Sequence, residues 1–190
     1  MWIKNKKNIL LIGSVILAIS AITVYSTIFN KYVFGPNFTK YLQQATGKTM
    51  MVQKELKVTY DEKNFVITLS TPVDQKNELY ANCFEEKLGG LFYKPTYGAR
   101  QGEGKSLYGM MMNFTRDDGS DNNFIVVYGC NKDFKASSYE VKKVNSNEMI
   151  KEDISGQNYF LHSYQDIVYT LVTFKDSNDV DITDYFIYGI

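Results

Sequence analysis

The chain has few of the residues that most constrain a fold or carry its chemistry. Among 190 residues there are three prolines, two cysteines, one histidine and one tryptophan. So few prolines beside 13 glycines exclude collagen-like and proline-rich architectures. One histidine and two distant cysteines argue against a catalytic zinc site, which usually takes three protein ligands rich in those types. No cofactor is expected. There is no surplus of positive charge either: 21 Lys and Arg balance 21 Asp and Glu. A nucleic-acid partner is therefore not expected, because such proteins carry a basic surplus that displaces counterions. Aromatic residues, by contrast, are not scarce. Fifteen tyrosines and 12 phenylalanines exclude a largely disordered chain, which could not bury enough apolar surface to order itself.

One long run has no charge and no proline, from Ile9 to Phe29. As a helix rising about 1.5 Å per residue it would be roughly 30 Å long, the thickness of a bilayer's hydrocarbon core. Its Ser and Thr hydroxyls can bond back to helix carbonyls, which makes them tolerable there. Lys4, Lys6 and Lys7 precede it, and the first acid after it is Glu55. Under the positive-inside rule, residues 1–8 stay in the cytoplasm, residues 9–29 form a transmembrane signal-anchor, and the rest lies outside. With so short an N-terminus, signalling would need a membrane partner. Trp2 and Tyr25 or Tyr32 suit the two interfaces. Two other readings compete. Ala18-Ile19-Ser20 could precede a signal-peptidase cut at Ala21, although the apolar run then continues beyond the usual length. The run could also be a buried core helix. No cysteine follows it, so a lipid-modified N-terminal cysteine is excluded. Without the three lysines, 18 basic and 21 acidic residues remain, giving no attraction to an anionic surface.

Residues 30–45 read as a juxtamembrane segment holding a short helix from Asn37 to Ala45. Asn37 is placed to cap it, Phe38, Tyr41, Leu42 and Ala45 form one face, and Gly47 is placed to end it. Residues 46–190 read as one domain. Leu56–Tyr60 and Phe65–Leu69, separated by the turn Asp61–Asn64, form a hairpin. Asn77–Leu88 is ambiguous: Leu79, Cys83, Phe84 and Leu88 suit a helix face that Gly89-Gly90 would stop. Leu91–Tyr97 and Leu107–Phe114 are strands around a loop, Gly98–Ser106, and Arg116–Asn123 is a polar turn. Phe124–Tyr128 is the strongest strand, apolar enough for burial on both faces. Ser138–Val144, Tyr159–Tyr164 and Val168–Phe174 are further strands. Asn147–Ile154 suits a short helix. Lys175–Asp179 turns the chain, and Ile182–Tyr188 closes a last hairpin. Short polar turns favour antiparallel pairing, and no strand–helix alternation marks a doubly wound fold. The fold class is thus α+β and β-rich: an N-terminal transmembrane helix, then one mainly antiparallel domain with two or three short helices.

Candidate chemistry is sparse. Cys83 and Cys130 could form a disulfide in an exported domain, and are otherwise two small buried apolar residues. His162 shares a strand face with Phe160 and Tyr164 and could be a general base, but no Gly-x-Ser-x-Gly motif accompanies it. Asp117–Asn123 and Asp176–Asp181, with Asp184, could suggest calcium, but neither keeps the register of an EF-hand loop. Turn chemistry explains them as well. Gly104-Lys105-Ser106 ends like a phosphate loop but lacks its first glycine, because position 99 is Ala. Tyr93, Tyr97 and Tyr108 could form an exposed platform for a peptide or a sugar. Asn37-Phe38-Thr39 and Asn113-Phe114-Thr115 match the glycosylation acceptor pattern, which matters only in a eukaryotic secretory pathway. Abundant Lys, Asn, Ile and Tyr, with arginine only at 100 and 116, suggest a bacterium with an AT-rich genome instead. The sequence therefore leads to an expectation of a non-enzymatic, membrane-anchored extracytoplasmic module of a bacterial envelope, binding a protein or a wall component. A small hydrolase-like enzyme and an immunity or inhibitor protein are the alternatives.

Overall fold

The computed structural model describes residues 2–74, 78–102, 108–110, 125–132, 135–143, 148–165 and 170–184. Two helices and eleven strands lie among them, and all strand pairings are antiparallel. Helix α1, Trp2–Lys31, covers the whole uncharged run. Its described side chains, residues 13–26, are all exposed. Among the described residues no helix is long and apolar enough to cross a membrane. The uncharged run extends past those described side chains at both ends.

After α1 come β1 (Val33–Phe34), α2 (Phe38–Thr46), β2 (Met50–Tyr60), β3 (Lys63–Pro72), β4 (Glu78–Lys87) and β5 (Phe92–Gly102). They form a five-stranded sheet in the order β1-β5-β4-β3-β2, an up-and-down meander closed at one edge by β1. The β2–β3 hairpin is as expected and runs longer at both ends. Its turn is Asp61-Glu62, at φ 49° and 59°, the left-handed pair that matches strand twist in two-residue hairpins.

The ambiguous segment is not a helix in its described residues. Glu78–Lys87 is β4, paired on both sides, and so is central in the sheet. Its spacing of apolar residues imitates a helix because both of its faces are buried, so the alternation that would mark a strand is lost. Leu79, Ala81 and Cys83 face one way; Tyr80 and Phe84 face the other. The expected loop is also corrected at its start, because Gly98–Gly102 continue β5 opposite Glu78–Asn82. Gly98 leaves room there for the Asn82 side chain: a Cβ would come within 2.8 Å of Asn82 Oδ1 and displace it.

The remaining strands are β6 (Tyr108–Met110), β7 (Ile125–Cys130), β8 (Ser138–Lys143), β9 (Met149–Asp153), β10 (Tyr159–Tyr164) and β11 (Thr170–Lys175). They form two three-stranded sheets, β10-β7-β6 and β11-β8-β9. The short helix expected at 147–154 is instead β9, an edge strand with alternating exposure. Of the closing hairpin, the structure describes the bridge between Lys175 and Asp181. Arg116–Asn123, with the first acidic cluster, and Asn113 lie outside the described residues.

The sheets are stacked, with β10-β7-β6 in the middle. Strand periodicity assigns the faces. Val126, Tyr128 and Cys130 of β7, with Tyr159 and Leu161 of β10, pack on Val58, Ile67, Leu69 and Leu79 of the five-stranded sheet. Ile125, Val127, Phe160 and Tyr164 pack on Tyr139, Val141, Val172 and Phe174 of the third sheet. All six residues of β7 are buried, as its unbroken apolar sequence implies. Asn131, just after β7, ties the layers. Its side chain donates to the carbonyls of Ala136 (2.7 Å) and Ile154 (3.3 Å) and accepts from Ala136 N (2.8 Å).

Helix α2 covers the outer face of the five-stranded sheet. Phe38 and Leu42 are 2% and 1% exposed, packed on Phe84 and Tyr93 and on Met50 and Tyr80 respectively. Residues 33–45 are therefore part of the folded body and not a detached stalk. Gly47 ends α2 in the left-handed conformation, donating its N–H to Gln43 O. Asn37 occupies the N-cap position but makes no side-chain cap, since its backbone (φ −92°, ψ 49°) is not in the extended conformation that aims the side chain at the first turn. Among the described residues of the body, α2 is the one helix of more than a single turn, against the two or three expected.

Candidate functional site

Two titratable side chains with perturbed surroundings, His162 and Tyr164, lie where the middle sheet meets the third. Alternation along β10 turns Phe160, His162 and Tyr164 toward β8, where Tyr139 is fully buried opposite Glu152 of β9 and Phe174 of β11. The Tyr139 hydroxyl links two neighbours: it lies 2.6 Å from His162 Nδ1 and 2.5 Å from the Tyr164 hydroxyl. The Tyr139 and His162 rings stack, with centroids 5.8 Å apart. Burial pushes the His162 imidazole below its ordinary value, and Lys54 adds to this, while Glu152 opposes it. Burial also raises the Tyr164 phenol, assisted by Glu152 and opposed by the Tyr139 hydrogen bond. At neutral pH the imidazole is neutral and the Tyr164 phenol protonated. With Tyr139 donating to Nδ1, His162 carries its own proton on Nε2, and Tyr164 bonds both Tyr139 and Glu152.

This arrangement can hold a proton in place, but it has little to activate. Ser163, the serine nearest His162 in sequence, points to the opposite face of β10 by strand alternation. The sequence places Phe160, His162 and Tyr164 on one face correctly. It does not reveal Tyr139 and Glu152, which reach His162 only through the stacking of two sheets. Asp166, a nearby acid in sequence, lies outside the described residues.

The other sequence candidates are scattered. Cys83 and Cys130 lie in the same core cluster, on β4 and β7, and both are free thiols. The possible disulfide is therefore not formed in this structure. Tyr93 and Tyr97 do not share a platform. Thr96 is an extra residue between the pairs Phe84–Pro95 and Cys83–Tyr97, so the parity of β5 flips between the two tyrosines. Tyr93 is buried under α2, while Tyr97 is exposed toward the opposite face. The side chain of Tyr108 lies outside the described residues. In the second acidic cluster the carboxylates serve the turn. Asp176 accepts from the N–H groups of Asn178 and Val180, at 2.8 and 3.0 Å. Asp181 accepts from Thr183 N at 2.8 Å, and Asp179 pairs with Lys151 at 3.1 Å. Among the described residues no three His, Cys, Asp or Glu side chains converge as a metal-ligand set.

A cleft lies where α1 meets the body. It has a volume of about 690 Å³ and is lined by residues including Tyr25, Tyr32, Asn37, Lys40, Tyr41 and Gln44. Its tyrosine rings, amide groups and single lysine suit an environment that is apolar on one side and wet on the other. The chain matches no protein-family model, no curated protein and no solved structure.

Proposed function

We propose that this chain is a membrane-anchored extracytoplasmic module of a bacterial cell envelope, held by residues 9–29, which acts by binding a protein or wall component and not by catalysis. The observation that carries the reading is the surface of α1. Val15, Ile16, Leu17, Ile19, Ile22 and Val24 are each half or more exposed. They point to several sides of the helix, so a single partner surface could not cover them. A helix that is apolar all round needs apolar surroundings on every side, which a bilayer supplies. Lys4, Lys6 and Lys7 favour an N-terminus inside and the β-sheet body outside. The choice of binding over catalysis rests on the His162 cluster, whose imidazole is engaged by a tyrosine and is not faced by the neighbouring serine.

Protease added to intact cells or protoplasts tests this reading. The body should be digested or shaved from the membrane while a cytoplasmic control stays whole. Full protection, under conditions that cleave a known surface protein, would overturn the topology. Crosslinking and affinity capture of the intact membrane form from its native cell should then retain a defined envelope partner. Turnover of an envelope substrate that His162→Gln abolishes, at unchanged protein abundance, would instead establish the enzyme alternative.

A further inference from the structure

We propose that the turn between β4 and β5, Leu88–Leu91, together with Phe34, is a second membrane contact that rests in the interfacial region of the bilayer holding α1. The inference depends on the anchor reading above and adds to it a fixed orientation of the body.

Chain connectivity carries the first part of the argument. Helix α1 ends at Lys31, and a single residue, Tyr32, separates it from β1. Three residues past the helix end reach Phe34, a span of about 10 Å even when fully extended. The polar and interfacial layer on each side of the hydrocarbon core is about 5–8 Å thick. If α1 crosses the bilayer, Tyr32–Phe34 therefore lie at its surface. The β4–β5 turn is bound to that same segment. Val33 and Phe34 pair with Tyr93 and Phe92, and Gly35 N donates to Leu91 O at 3.0 Å. Wherever β1 sits, the turn sits with it.

The side chains at this place are those an interface selects. Leu88 is 77% exposed, Phe34 56% and Leu91 49%. Tyr32 and Phe34 each meet the Phe92 ring edge-on, at 6.4 and 5.5 Å between centroids. An open apolar groove of about 320 Å³ lies among Tyr32, Lys87, Leu88 and Phe92. Lys31 and Lys87 flank the patch: the Lys87 ammonium is paired with Glu85 while its stem lines the groove, and Lys31 stands at the end of α1. Aromatic and basic residues around an apolar tip are the composition of interfacial anchors.

The backbone of the turn supplies an independent indication. Leu88, Gly89 and Gly90 all have positive φ, at 51°, 63° and 85°. Among the described residues, four other non-glycine residues have positive φ: Asp61, Glu62, Lys135 and Asp179, all polar. Leucine is costlier in that conformation than asparagine or glycine, and here most of its surface faces outward. A strained, exposed leucine at a tip is accounted for when the tip has an apolar place to go.

Single-tryptophan variants of the full chain, in a Trp2→Phe background, test this in phosphatidylcholine–phosphatidylglycerol vesicles. Quenching is read with lipids spin-labelled either near the headgroup or near the tail end. Ile19→Trp reports on the anchor, Leu88→Trp and Leu91→Trp on the turn, and Val180→Trp on the distant third sheet. The expected result is quenching of Ile19→Trp by the tail-end label, and of Leu88→Trp and Leu91→Trp by the headgroup-proximal label. The quenching at the turn should be at least about twofold stronger than at Val180→Trp, as for groups seated at the headgroup–acyl boundary. Quenching of Ile19→Trp while both turn positions match Val180→Trp would overturn this inference and leave the anchor standing. Absence of quenching at Ile19→Trp would overturn the anchor, and the second contact with it.

Discussion

His162 is held neutral by its surroundings, and that has a measurable consequence. Its folded pKa lies below the ordinary value of 6.5, chiefly through burial. Above that value both the folded and unfolded chains are neutral at this residue, and it contributes no pH dependence. Below about 6.5 the unfolded chain takes up a proton that the folded chain resists, so stability falls as pH drops toward the folded pKa. His162→Gln should therefore flatten the loss of unfolding free energy between about pH 7 and 5. Parallel denaturant titrations of the two proteins check this, and identical slopes would show that the imidazole is free to charge in place. Tyr139→Phe should cost more than His162→Gln at neutral pH, about 1–3 kcal/mol, because it removes the one hydroxyl that bonds both His162 Nδ1 and the buried Tyr164 hydroxyl. The thiols are the second residue-scale case. Burial pushes Cys83 up to about 11, and Cys130 is also buried. Neither should react with a thiol reagent until the protein unfolds, and then both should, giving a two-thiol endpoint without reductant. No thiol after unfolding would indicate the bridge.

The β2–β3 hairpin is legible in sequence because its strands alternate and its turn is polar. The turn itself is imperfect: Asp61 and Glu62 both adopt left-handed backbone, and glycine is favoured at the second of these positions. Glu62 is exposed. Glu62→Gly should accordingly stabilise the protein by about 0.5–1 kcal/mol, since the relief of left-handed strain outweighs the added freedom of the unfolded chain. A rise in the urea midpoint at constant slope would be the signature; a fall would mean that the Glu62 side chain contributes more than its backbone costs. The element that sequence left ambiguous, β4, is illegible for the opposite reason. With neighbours on both edges and cover on both faces, it needed no polar residue at alternate positions. Tyr80, Ala81, Cys83 and Phe84 therefore carry no strand period.

At the scale of the molecule, the body begins earlier than its strand pattern suggests. A soluble fragment starting at Tyr32 keeps β1 and α2, whereas one starting at residue 46 uncovers Val66, Phe84 and Tyr93 on the outer face of the large sheet. Replacing a buried Phe or Leu with nothing costs about 2–5 kcal/mol per side chain, and both Phe38 and Leu42 would be lost. The longer fragment should be monodisperse with a β-dominated circular dichroism spectrum, and the shorter one should aggregate or melt well below it. Equal melting of the two would show that α2 rests on the sheet without holding it. The stack of three sheets also explains why every residue of β7 is buried: it has a core on each face.

The sequence by itself determined the features that depend on local pattern. An uncharged run of helical length, a nine-residue amphipathic helix ended by Gly47, the β2–β3 hairpin and the doubly buried β7 all follow from period, charge and turn residues that neighbours in the chain supply. Only the tertiary structure decided what depends on residues far apart. It made β4 and β9 strands, because strand hydrogen bonds come from partners that local propensity does not see. It left Cys83 and Cys130 as free thiols in one core, and put Tyr93 and Tyr97 on opposite faces through one inserted residue. It brought Tyr139 and Glu152 to His162 by stacking sheets. It also set Leu88 and Leu91 beside the end of α1, a placement fixed by backbone hydrogen bonds between segments more than fifty residues apart.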